Sequence, residues 1–117
     1  MLTPTPAEER LAVGERSSAY RCWAAAYPAR RTRPVPLGSH RASSSRLALR
    51  WLRERTRHVT DQLDTAYAQP GRHWLTDDAE HERALALLTM GSAYRLTLYD
   101  EDARYVLVAS PPGGGDT

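Results

Sequence analysis

The chain has no lysine, asparagine, isoleucine or phenylalanine, and its only cysteine is Cys22. All four missing residues have A/T-rich codons, so a GC-rich gene accounts for the set, and the absent lysines need no functional explanation. Their absence does change how the charge is read. Every strong cation is an arginine, so arginine's aptitude for bidentate contact with phosphate or carboxylate says nothing by itself. Only arginine position is informative. One cysteine excludes an internal disulfide. Cys22 lies in an alanine-rich apolar stretch, which reads as a buried structural thiol in a reducing setting. No apolar run approaches the ~18 residues of a membrane span. Met1 to Arg10 contains Glu8 and Glu9 without an apolar run, unlike a secretory leader. A soluble cytoplasmic protein with no membrane partner is expected.

Sites of recognised chemistry are also scarce. Gly113 to Gly115 follow no strand–helix context that would make a phosphate loop. His73 and His81 bracket Asp77, Asp78 and Glu80, but the closed Cys/His set of structural zinc is missing. Ser43, Ser44 and Ser45 have no base at motif spacing. Arg53 and His58 resemble the ribonuclease motif of HEPN domains in spacing alone, and Arg33 with His40 meets the same spacing. No catalytic residue, metal or cofactor is expected, and the protein is read as non-enzymatic.

What is present is a segregated charge. Residues 1–58 hold 12 Arg against 4 acids, a balance of +8; residues 59–117 hold 4 Arg against 10 acids, a balance of −6, within a total of +2. Such a chain offers one surface to anions and another to cations. A length of 117 residues suits one domain, and 41% hydrophobic residues lies below the usual range of about 45–50%, so part of the chain should stay outside the core.

The expected class is α+β: a small helical domain of three main helices with a C-terminal two-stranded antiparallel hairpin packed on them. Residues 1–27 read as an N-terminal helical segment. Thr5-Pro6-Ala7-Glu8 is a helix start, and Ala19, Cys22, Trp23, Ala26 and Tyr27 recur on one helical face. Residues 28–45, rich in Pro, Arg and Ser, read as a flexible basic linker. Residues 46–110 form the helix–helix–hairpin core, and residues 111–117 a disordered tail. The spacing predicts one helix from Arg46 to about Gln69, stopped by Pro70-Gly71. A second begins at Thr76 or Asp77 and is capped by Gly91. With Asp100 to Ala103 as a loop, Leu98 falls opposite Tyr105, Leu96 opposite Leu107 and Tyr94 opposite Ala109, so all six share a face. The expected core is Leu52, Val59, Leu63, Ala84, Leu85, Leu88, Leu96, Leu98 and Leu107, with Trp51, Trp74 or Trp23 at its margins.

Two functional expectations follow. Arg46, Arg50, Arg53 and Arg57, spaced 4, 3 and 4, lie on one helix side. With Arg30, Arg31 and Arg33 of the linker they would contact nucleic acid or another polyanion. In the alternative, Asp77, Asp78, Glu80, Asp100, Glu101 and Asp102 dock a basic protein partner, as in an inhibitor or antitoxin. Helices followed by a hairpin is also the element order of a winged helix. The acidic second helix and Asp-Glu-Asp tip argue against duplex reading by that route.

Overall fold

The structure, a computed structural model, describes residues 19–113. Its elements run β1 (Tyr20–Pro28), β2 (Val35–Ala42), α1 (Ser45–Asp61), α2 (Thr65–Leu75), α3 (Asp78–Thr89), β3 (Tyr94–Tyr99) and β4 (Ala103–Ser110). The strands make one antiparallel sheet in the order β2-β1-β4-β3. The α+β class is as expected, but the sheet has four strands, and the C-terminal hairpin is joined edge to edge with an N-terminal one. The helix expected at residues 1–18 lies outside the described residues.

Tyr20–Pro28 is a strand rather than the end of a helix. β1 lies between β2 and β4, and alternate residues face opposite sides of a sheet. Cys22 and Ala24 join the core cluster under the helices, while Ala25 on the other face is also buried. A strand buried on both faces reads as a continuous apolar run, which periodicity alone does not separate from a buried helix. The supposed linker at 28–45 contains β2. β2 is an edge strand, and edge strands tolerate the Pro36 and Gly38 that made the segment look unstructured.

β3 and β4 pair in the predicted register, Tyr94 with Ala109, Leu96 with Leu107 and Leu98 with Tyr105. Cross-strand packing sets that register: Tyr94, Leu98, Leu107 and Ala109 all enter the core with Leu52, Trp74, Ala84 and Leu88. Leu63, Leu85 and Leu96 pack against it half-buried. Trp51 and Trp74 are core members rather than marginal, and Trp23 lies on the opposite sheet face, half-buried.

The predicted long helix is two. α1 is capped by Ser44, whose hydroxyl accepts from the Leu47 amide at 3.2 Å, and it ends at Asp61. The chain turns through Gln62 to Asp64 before α2 starts, and Pro70 lies inside α2 rather than after it. α3 starts where expected, with the Asp77 carboxylate accepting from the Glu80 amide at 3.1 Å. It ends in a Schellman turn: Ser92 N donates to Leu87 O at 2.8 Å and Gly91 N to Leu88 O at 3.2 Å. Gly91 takes a φ of +90°, which glycine adopts without a Cβ penalty. Pro111 is buried and Gly113 exposed; residues 114–117 of the expected tail lie outside the described residues.

Candidate nucleic-acid interface

α1 is amphipathic in the strict sense that its two sides do different work. Ala48, Leu49, Trp51, Leu52, Thr56 and Val59 are buried against the sheet and neighbouring helices. Arg46, Arg50, Arg53 and Arg57 are exposed. Arg50 reaches Glu54 at 3.4 Å with both side chains largely in solvent, a contact too screened to hold the arginine in place. Arg46, Arg53 and Arg57 make no ion pair with any described residue.

The ordering of 35–42 into β2 adds residues to this surface that sequence reasoning did not include. Between the β2 edge and α1 lies a cavity of about 400 Å³ lined by His40, Arg41, Arg50, Trp51 and Glu54, among others. The His40 and Trp51 rings lie nearly parallel, 4° apart in plane with centroids at 6.4 Å. Arg55 also packs on this indole, its Cζ 5.2 Å from the ring centroid. A bulge in β2 allows that approach. Gly38 pairs with Ala24 and Pro36 with Ala25, leaving Leu37 as the extra residue. Gly38 has a φ of +143°, and a Cβ there would lie 3.2 Å from Arg55 Cζ. His40, Arg41, Trp51 and Arg55 could have been found only by reading 35–42 as a strand. Periodicity gave no such signal, because both Pro34 and Pro36 interrupt it.

Arg30, Arg31 and Arg33 are exposed in the β1–β2 connection. The fold sets this turn beside the acidic hairpin tip, where Ala29 N donates to Asp102 O at 2.8 Å. The segregated charges of the sequence thus meet at one end of the sheet.

The acidic residues are divided. Asp78, Glu101 and Asp102 are exposed, whereas Asp77, Glu80 and Asp100 have structural work. Asp77 caps α3. Asp100 accepts from the Asp102 amide at 2.8 Å, the Ala103 amide at 2.6 Å and the Tyr105 hydroxyl at 2.6 Å. Burial raises the Asp100 pKa, but those three hydrogen bonds outweigh it and hold the carboxyl below its ordinary value. Glu80 accepts two bonds from Arg83, each 2.9 Å, and one from the Tyr94 hydroxyl at 2.6 Å. Tyr94 in turn accepts from Trp74 Nε1 at 2.8 Å.

The Arg83 bonds first, then the Tyr94 bond, lower Glu80 from 4.5 to about 2. A carboxyl depressed on folding contributes stability above its unfolded pKa and loses it on acidification. Unfolding free energy should therefore decline as pH falls from about 4.5 to about 2. Urea titrations across that window should show a shallower decline for Glu80→Gln, and an equal decline would refute the assignment.

The two histidines around this helix start point to different partners. His73 Nε2 is 3.7 Å from Asp77 Oδ2, while buried His81 bonds the Trp74 carbonyl at 2.8 Å. Among the described residues, no group of three or more His, Cys, Asp or Glu is arranged to hold a metal ion. None of the described helices is long and apolar enough to cross a membrane. Arg53 and His58, five positions apart, are separated by about 140° around α1. Cys22 is buried as expected, and burial pushes its thiol up to about 11. No family model, no curated protein and no solved structure matches the chain.

Proposed function

We propose that this protein is a non-enzymatic binding protein that takes nucleic acid along α1 and the β2 edge. The observation that carries this reading is the exposed row Arg46, Arg50, Arg53 and Arg57 bordering a cleft that also contains Arg41, His40 and Trp51. Guanidinium groups along a helix can track phosphates, and the exposed His40 ring, backed by buried Trp51, offers a face on which an unpaired base can stack. Arg30, Arg31 and Arg33 would extend the contact beyond the end of the sheet. The competing reading, docking of a basic protein, has less support, because Asp77, Glu80 and Asp100 are held by their own backbone and side-chain bonds.

The test is fluorescence anisotropy with a single-stranded oligonucleotide at several salt concentrations. Log K should fall linearly with log salt. An Arg50/Arg53/Arg57→Gln variant should bind more than tenfold more weakly at low salt, with the slope reduced by roughly 2, the value for three lost contacts at ~0.7 each. Wild-type affinity in that variant would sink the reading.

A further inference from the structure

A second, smaller cavity opens on the same seam between β2 and α1. It measures about 110 Å³ and is lined by Leu37, Arg55, His58, Val59, Gln62 and Tyr105. One water needs roughly 10–15 Å³ by this measure, so a polyatomic ion fits. The lining contains an arginine, a histidine and a glutamine but no carboxylate. Tyr105 is already committed, its hydroxyl donating to Asp100. Arg55 is not: its Nε is buried and has no hydrogen-bond partner among the described residues. A buried donor left unmade is costly, and one on a charged group more so. Packing on Trp51 and the close approach permitted by Gly38 hold this guanidinium in place. A cation fixed with no counter-charge among the described residues, beside a cavity whose lining has no carboxylate, is the arrangement that an oxyanion completes, since guanidinium presents a planar fork of donors.

We propose that this cavity binds a phosphate group, with Arg55 as its principal ligand and His58 and Gln62 as supporting donors, and that it receives the terminal phosphate of a nucleic-acid strand. This rests on the reading of α1 and the β2 edge as a nucleic-acid surface. The terminal assignment follows from size. A backbone diester needs two ways out for the continuing chain, whereas a terminal phosphate needs one, and the cavity is small beside its 400 Å³ neighbour.

The experiment compares one single-stranded oligonucleotide in 5′-phosphate, 3′-phosphate and unphosphorylated forms, with inorganic phosphate as competitor. One phosphorylated form should bind about tenfold more tightly than the unphosphorylated strand. Inorganic phosphate should remove that advantage without abolishing binding. Arg55→Gln should bind all three forms equally, while Arg50/Arg53/Arg57→Gln should weaken all three and keep the preference. Should Arg55→Gln fail to fold by circular dichroism, His58→Ala and Arg55→Lys carry the test, each expected to reduce the preference several-fold. A preference below twofold, or one that survives in every folded variant of Arg55 and His58, overturns the proposal. Loss of unphosphorylated binding with the preference intact belongs to the α1 row alone, so the two readings fail separately.

Discussion

Gly71→Val should lower the unfolding free energy by about 3 kcal/mol, the upper part of the range for overpacking a core. Gly71 lies inside α2, buried, where helix propensity alone would favour almost any other residue by up to about 1 kcal/mol. Packing decides against them. A Cβ at 71 would collide with Thr60 Cγ2 of α1 and touch Leu98 Cδ1 of β3 at 3.4 Å. Thr60 has no room to yield: it is fully buried, and its hydroxyl donates to the Arg57 carbonyl at 3.0 Å. The missing side chain is what lets α2 lie directly on the last turn of α1. Urea unfolding should show a lower midpoint at unchanged m. Thr60→Ser removes the offending methyl and keeps the hydroxyl. In a double-mutant cycle it should recover part of the loss caused by Gly71→Ala, and strict additivity would show that the two residues are not coupled.

Tyr94→Phe should cost about 2–3 kcal/mol, because it strands a buried donor as well as removing a bond. The Tyr94 hydroxyl links the Trp74 indole N–H of α2 to the Glu80 carboxylate of α3. Phenylalanine leaves the indole N–H without an acceptor and Glu80 with only Arg83. The same hydroxyl predicts an alkaline effect. Burial first, then the bond to Glu80, push Tyr94 from 10 up to about 12. A phenol raised on folding contributes stability below its unfolded pKa and loses it as pH climbs through the folded one. Stability should therefore drop between about pH 10 and 12. Tyr105 is raised to about 12 by its own burial and by Asp100, so it adds to the same loss. Tyr94→Phe should flatten part of that decline and Tyr94→Phe/Tyr105→Phe more of it. An alkaline profile identical to wild type in both would refute the assignment.

What could be read from the sequence was what short-range chemistry decides. The β3–β4 register follows from period-two alternation across one loop, and both ends of α3 follow from Asp77 and Gly91. The errors share a cause. Ala24 to Ala26 have little strand preference of their own, and they are strand because β2 and β4 flank them, which is a long-range fact. Pro36 and Gly38 resemble linker residues until an edge position and a bulge make room for them. Pro70-Gly71 looks like a stop, and it is overruled because Gly71 is the residue that fits against Thr60. The arginine row was legible at helical spacing. Its companions His40, Arg41, Trp51 and Arg55 were not, since they become neighbours only when β2 docks beside α1. Arg55 in particular differs from the other arginines of α1 only by facing the seam.

The strand order also governs when the molecule can be finished. β1 and β4 pair at the centre of the sheet, Arg21 against Ser110 and Pro28 against Ala103, so the middle of the structure joins segments about eighty residues apart. During synthesis the β1–β2 hairpin and α1 emerge with the inner edge of β1 open, and that edge carries Cys22, Trp23 and three alanines. Open apolar edges template pairing with other chains. Contacts this distant in sequence also form slowly. The central seam can close only after β4 has emerged, and until then β1 presents an edge with which another chain could pair.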